Sequence, residues 1–294
     1  MACGRTARTV VGVMTIVGEP RRLGVPRAEA RLRFETELQE RGSAPRRRLL
    51  VLDGNPAFEL SPWCGTCQFL FQRLEGAGET LSLAGMQELL AGQVSELDDG
   101  ILVAFGSLLP EGDYLPLLLR VEPRLVNPGQ DGDYFSNEQV ATWGPDQFWG
   151  LPEHPRTPYY RTFETVIDDT AHLYEFAVPM VPPLWNNRER VAEYVEWMGQ
   201  GVVPTAVAVS TLDLCQPALS LQSTDEYEHW GLTHFLLDGH HKLEAAASAG
   251  RTVQLLSLLA LDESLSGPDD HRRLGALRSQ SSLSRGARNP RRPA

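Results

Sequence analysis

Lysine is almost absent from this chain: of its 27 basic residues, Lys242 alone is lysine and the other 26 are arginine. So strong a skew reflects genome composition rather than chemistry, yet it makes the surroundings of Lys242 conspicuous. Cysteine is scarce as well. Cys3, Cys64, Cys67 and Cys215 are too few to staple a chain of 294 residues, which excludes a disulfide framework. No uninterrupted apolar run approaches the roughly 20 residues that span a bilayer as a helix. The apolar stretch from Val10 to Met14 is short, follows Arg5 and Arg8, and has no small-residue cleavage site after it. It is expected to be a first strand rather than a secretory leader, and the protein is expected to be cytoplasmic.

Acids are missing from the end of the chain. Residues 271–294 carry seven arginines and no Asp or Glu, and residues 1–50 carry eleven arginines against five glutamates. Residues 51–270 hold nine basic and 33 acidic residues, a local net charge of −24 within an overall −11. A body this acidic repels phosphate backbones, which argues against nucleic acid as a partner of the folded part. The tail, 263–294, with Ser, Gly, Pro and Arg and no apolar periodicity, is expected to be disordered and solvated.

With 42% apolar residues the chain can bury a substantial core. The expected class is α+β. An N-terminal mixed α/β domain is expected over 1–125, with strands at 9–17, 30–38, 48–53 and 114–121. Asp53-Gly54-Asn55-Pro56 is a turn signal after the third of these. Helices are expected at 67–74 and at 83–97, where Leu83, Met86, Leu89, Leu90 and Val94 recur at helical spacing. Residues 126–170, rich in Pro, Gly and aromatics, are expected to be an ordered connecting segment.

Residues 171–262 carry the clearest pattern. A strand over 174–180 ends at Val181-Pro182-Pro183. Asn186 or Asn187 can cap a helix from Arg188 whose apolar face is Val191, Tyr194, Val195 and Met198. A β-branched strand follows over 205–212, a polar loop over 220–230, a strand over 233–237, a helix over 240–249 stopped by Gly250, and a last strand over 252–261. The order is β-α-β-β-α-β.

Between the third strand and second helix of that series lies Leu236-Leu237-Asp238-Gly239-His240-His241-Lys242. A strand that turns through Asp-Gly into a helix presents backbone N–H groups and the positive helix end, which together suit an anion such as phosphate. Gly239 allows close backbone approach. His240, His241 and Lys242 in the first turn add donors and positive charge, an arrangement that opposes the helix dipole. Asp238 could hold a histidine tautomer, orient Mg²⁺ or accept a proton. The plain structural alternative is a turn in which Asp238 only caps the helix. His229 and Trp230, in the loop before, could line the pocket or lie on the surface.

The stretch from Thr233 to Gly250 resembles the signature segment of the ParB/sulfiredoxin-like superfamily, in which a helix and Gly-Pro lead-in, here Glu189 to Pro204, precede a strand. The resemblance covers residues 171–262, under a third of the chain. It implies a ParB/sulfiredoxin-like β-α-β-β-α-β module and one of three activities. Sulfiredoxin-type reduction needs a cysteine where His240 stands. Chromosome-partition relatives carry Gly-Glu-Arg-Arg at the turn and a helix-turn-helix domain after it; here the turn is Gly239-His240-His241-Lys242 and a short tail follows. The turn is most similar to the nucleotide-dependent free-serine kinase branch. That implies a phosphotransferase acting on a small hydroxyl compound, with ATP, ADP or CTP and Mg²⁺ as cofactors. Gly239, His240, His241 and Lys242 would hold phosphate, Asp238 and His240 would serve turnover, and Glu189 would help activate the hydroxyl. Lys242 replaces the frequent Arg of the family and holds phosphate without the bidentate fork. The other expectation is a non-catalytic module that binds a ligand or a protein partner.

Two further sets of residues fit their chemistry less well. Trp63-Cys64-Gly65-Thr66-Cys67 lacks the proline of a thioredoxin site, and a zinc site would need two more ligands; buried thiols at a helix start are expected. A metal site from His234, Asp238, His240 and His241 is disfavoured, since adjacent histidines in a helix point about 100° apart.

Overall fold

Runs such as Leu49 to Leu52 and Leu117 to Leu119 are apolar at consecutive positions, which suits strands covered on both faces. The computed structural model describes residues 15–37, 47–61, 71–143, 155–216 and 227–284. Its first part comprises β1 (Thr15–Val17), β2 (Arg21–Leu23), β3 (Leu32–Glu37), β4 (Arg47–Leu52), β5 (Asn55–Leu60), β6 (Phe71–Arg73), α1 (Asp99–Gly106), β7 (Gly112–Val121), β8 (Arg124–Val126) and α2 (Glu138–Trp143). The second comprises β9 (Tyr159–Asp168), β10 (Ala171–Pro179), α3 (Arg188–Gly199), β11 (Thr205–Cys215), β12 (Glu228–Asp238), α4 (His240–Ala249), β13 (Val253–Ala260) and α5 (Pro268–Ser284).

The chain is mixed α and β. Nine strands form one mixed sheet in the order β1-β7-β13-β11-β12-β10-β9-β8, with β2 on the same edge of β7 as β1. The antiparallel pair β11–β12 lies at its centre, flanked by β13 parallel to β11 and β10 parallel to β12. Each helical crossover, β10-α3-β11 and β12-α4-β13, therefore skips one strand, and the two units interlock as split β-α-β pairs. A four-stranded antiparallel sheet, β3-β4-β5-β6, packs on one face of the large sheet, where Phe58 meets Phe235 at 5.1 Å between ring centroids. Helices α3, α4 and α5 cover the other face through Val191, Tyr194, Leu243 and Leu274.

The expected β-α-β-β-α-β order over 171–262 is present, with Asn187 accepting from the Arg190 N–H as the α3 cap. The Asp53-Gly54 turn joins β4 to β5 as a two-residue hairpin with both residues at positive φ. Several expectations are corrected. The segment 1–125 is not set apart, because β1, β2 and β7 extend the same sheet as β10 to β13. Of the expected helix 67–74 the described part is strand β6, held by pairing with β5 and by Phe71 packing on Phe135, Tyr159 and Phe176. The expected helix 83–97 is a series of turns. Its backbone is satisfied from outside: Leu90 and Gly92 carbonyls accept from Thr205, and Val94 exchanges two hydrogen bonds with the Gln254 amide. Tyr159 to Asp168, expected in a connecting segment, is a ten-residue strand.

The tail expected to be disordered contains α5. His271, Leu274 and Arg278 recur at i, i+3 and i+7 and are all buried, so the face exists but is only one-third apolar. Its anchor is a polar band across the helix-covered side of the sheet. Glu175 of β10, His234 of β12, Ser210 of β11 and Ser257 of β13 are each fully buried. His234 Nδ1 lies 2.8 Å from Ser257 Oγ, which donates to Ser210 Oγ at 2.9 Å. Glu175 accepts from Thr162 Oγ1 at 2.7 Å and forms an ion pair with Arg278, whose guanidinium also reaches Thr15 Oγ1 and the Arg120 carbonyl.

Burial opposes ionisation of Glu175, but Arg278 together with His234 and Thr162 outweighs it and holds the carboxyl down at about 2. Breaking a buried pair by removing one partner costs about 3–5 kcal/mol. Arg278→Met is therefore expected to lower stability by about that much in urea unfolding, and Glu175→Leu combined with Arg278→Met by less than Arg278→Met alone. A single-variant loss below about 1 kcal/mol would remove the pair from its structural role. Because the folded-state value lies below the ordinary 4.5, the pair's contribution is present above pH 4.5 and lost as pH falls toward 2.

Candidate functional site

Strand β12 ends at Asp238 and α4 starts at His240, so the whole change of direction falls on Gly239. That residue sits at φ 98°, ψ 21°. A Cβ there would lie 2.5 Å from the Ala206 Cβ and 2.8 Å from its Cα, so both conformation and packing on β11 require glycine. No side chain caps α4, which leaves the positive end of the helix without a side-chain acceptor.

The four side chains around this turn have distinct environments. Asp238 Oδ1 accepts from the Ser82 hydroxyl, and Oδ2 accepts from Lys242 Nζ at 3.0 Å. Burial works against the Asp238 carboxylate, but Lys242 and Ser82 hold it below its usual range. Lys242, only 4% exposed, also donates to the Thr205 carbonyl at 2.8 Å. Burial draws its ammonium down from the ordinary lysine value and Asp238 opposes that. His240 is 2% exposed, and its Nε2 accepts from the Met180 N–H at 3.1 Å. Nε2 is thereby deprotonated and the proton of the neutral ring sits on Nδ1, which is buried without a partner among the described residues. Burial lowers this imidazole to about 4 against the pull of Asp238. His241 accepts from the Asn187 N–H at 3.1 Å and is lowered first by burial and then by Arg190. Next to it, Glu244 takes the fork of Arg188 at 2.5 and 2.9 Å and the Asn186 amide at 2.7 Å, which locks the start of α3 to α4.

Residues Asp238 to Lys242 border a cavity of about 170 Å³ whose other walls are Thr80, Ser82, Gln87, Arg190 and Tyr194. The turn residues Asp238, Gly239, His240, His241 and Lys242 thus come together as the sequence suggests. Glu189 does not join them. It is exposed, and the helical rotation of about 100° per residue brings its neighbour Arg190 to the cavity instead. Arg190 pairs with Glu193 and lies over the rings of Tyr194 at 5.1 Å and Trp197 at 5.5 Å. The spacing of Arg190, Tyr194 and Trp197 at i, i+4, i+7 was a readable sign of a cation-on-aromatic stripe. Thr80, Ser82 and Gln87 had no such sign. Their segment is brought in by the Leu81 N–H donating to the Leu237 carbonyl at 2.8 Å.

Other candidates fall elsewhere. His229 does not line the cavity: it is buried between Tyr134 and Thr142, at 2.7 and 2.8 Å, and burial lowers it to about 3. Trp230 is buried under Arg273. His234 belongs to the polar band. The Cys215 thiol is buried and pushed well up by burial, whereas Cys3, Cys64 and Cys67 lie outside the described residues. Among the described residues no group of three or more His, Cys, Asp or Glu is placed to hold a metal ion, and no helix is long and apolar enough to cross a membrane. Comparison with family models, curated proteins and solved structures finds no match.

Two outcomes follow from the turn. Gly239→Ala is expected to cost about 1–2 kcal/mol from the left-handed backbone alone and more from the contact with Ala206, read by chemical denaturation; an unchanged midpoint would refute the tight turn. In an NMR pH titration His240 is expected to protonate near 4, not 6.5. Its folded value lies below the unfolded one, so stability falls as pH drops from about 6.5 to about 4. A midpoint at or above 6.5 would contradict the Met180 contact.

Proposed function

We propose that this chain binds phosphate, as part of a nucleotide or other small phosphorylated molecule, at the N-terminus of α4 in a ParB/sulfiredoxin-like module. The observation that carries the reading is the uncapped helix end with a buried, partnerless Nδ1–H on its first residue, His240. A buried donor without an acceptor costs about 1–3 kcal/mol, and an oxyanion in the cavity would supply the acceptor. Arg190 and Lys242 contribute positive charge, and Gly239 keeps the backbone uncovered. A volume of about 170 Å³ is below the roughly 300–1,000 Å³ of sites that enclose whole ligands. The cavity would take the phosphate group, with the remainder of a nucleotide outside it.

Phosphate transfer to a small hydroxyl compound needs a group to take the hydroxyl proton. Glu189 lies off the cavity wall, and His240 holds its Nε2 against Met180. Asp238, the one carboxylate among the cavity-lining residues, is the group for that task, and Mg²⁺ accompanying a nucleotide would also meet it. With Asp238 committed to Lys242 and Ser82, a purely binding role is the second reading.

The test is a thermal-shift and calorimetric titration with inorganic phosphate, ATP, ADP and CTP, each with and without Mg²⁺. A ligand at 100 times its dissociation constant is expected to stabilise by about 2.7 kcal/mol, and Arg190→Gln to weaken it roughly tenfold, since a hydrogen bond to a charged group is worth about 1.5–3 kcal/mol. Binding of none of these compounds would end the phosphate reading. Binding without turnover of any hydroxyl acceptor, unaltered in Asp238→Asn, would favour the binding role.

A further inference from the structure

A second cavity is lined by residues other than those of the α4 turn. It measures about 940 Å³ and is walled by the β4–β5 hairpin and by residues 73–79, with Arg156 at its edge. Its apolar walls are Leu52, Pro56 and Leu74. Two of its acids are already neutralised, because Arg31 pairs with both Asp53 and Glu79. Arg73 is in the opposite position. Its guanidinium donates to the Ala77 carbonyl and lies 5.7 Å from the Trp185 ring, but no carboxylate stands within 4 Å of it among the described residues, and its Nε is buried with no partner. Glu75, also on the wall, is exposed and makes no ion pair with it. Burial lowers Arg73 from the ordinary arginine value, whereas ion-paired arginines such as Arg31, Arg47 and Arg188 are raised. A half-buried cation without a counter-charge is costly to the free protein.

We propose that this cavity is a second ligand site, separate from the α4 turn, which takes a small organic oxyanion, with Arg73 as its charge partner and the apolar walls receiving its carbon skeleton. The volume falls within the roughly 300–1,000 Å³ typical of small-molecule sites. The planar fork of Arg73, with Nε–H unused, matches the two oxygens of a carboxylate or a phosphate ester. Trp185, 63% exposed, adds an aromatic face beside the same guanidinium.

Benzoate and phenyl phosphate share a ring and differ in the oxyanion, and benzyl alcohol is their uncharged counterpart. Calorimetric titration of the full chain is expected to show binding of one or both anions at millimolar concentration and none of benzyl alcohol. Benzoate alone would narrow the class to carboxylates, and phenyl phosphate alone to phosphate esters. Arg73→Gln is expected to weaken binding at least about tenfold, as for loss of a charged hydrogen bond, and Arg73→Lys to retain part of it. In the wild-type protein the Arg73 Nε–H resonance is expected to move on titration, a readout independent of how the variants fold. Arg190→Gln is expected to leave this site unaffected, so it stands or falls apart from the α4 reading. Failure of both anions to bind, a stationary Nε–H resonance, or phenyl phosphate binding lost in Arg190→Gln but kept in Arg73→Gln would overturn the proposal.

Discussion

A carboxylate in the middle of a nine-stranded sheet has to be neutralised where it stands. Glu175 is fully buried on β10, and the cation that meets it comes from the far end of the chain, Arg278 of α5. The same guanidinium touches Thr15 on β1 and the Arg120 carbonyl on β7. One side chain thus ties the edge strand β1, its neighbour β7, β10 of the interior and the last helix. Leucines can be exchanged for one another at modest cost, whereas a lone buried charge cannot be accommodated by repacking. The position of α5, and with it the cover over this end of the sheet, follows from that requirement.

The α4 turn obeys the same logic on a smaller scale. Lys242, which looks like a phosphate ligand in the sequence, is first a structural tie: it joins the β11 start to the β12 end through Thr205 and Asp238. His240 and His241 each accept a backbone N–H from the segment that leads into α3, at Met180 and Asn187. Three residues of one turn are therefore spent on holding strand ends and the lead-in to α3 in place. What they leave over is chemically narrow: a helix end, the Nδ1–H groups of His240 and His241, and the ammonium's remaining proton. All are donors, so the surplus of the turn suits an acceptor-rich group.

What could be read in the sequence was what depends on neighbours along the chain. The alternation of β10, the Asn187 cap and apolar face of α3, and the Gly239 and Gly250 positions around α4 are local signals, and each element lies where those signals put it. The elements that escaped are those whose hydrogen bonds or charges are completed from a distance. Residues 83–97 have a helical apolar period, but Thr205 and Gln254 take their backbone groups. The inward face of α5 is written in His271, Leu274 and Arg278, and only Glu175, about a hundred residues earlier, makes Arg278 an inward residue. The site divides in the same way. Its turn was legible because strand, Asp-Gly and helix are contiguous. Glu189 was misplaced because helix phase, not proximity in sequence, decides which side chain meets the cavity. Ser82 and Arg73 have no local signal at all.

The proposed anion site stands on a chain of net charge −11, which bears on the size of anion it could hold. At physiological ionic strength charges are screened over about 8 Å. A phosphate at the α4 turn would meet the helix end, Lys242 and Arg190, which line one cavity and are paired with Asp238 and Glu193. The near field there is set by the helix end and by the donors that these two ion pairs leave over. A polyanion extends beyond the screening length in every direction along the surface and meets the acidic majority of residues 51–270, so each further phosphate adds repulsion. On the proposed reading, local donors on an acidic body would favour compact anions over polymers.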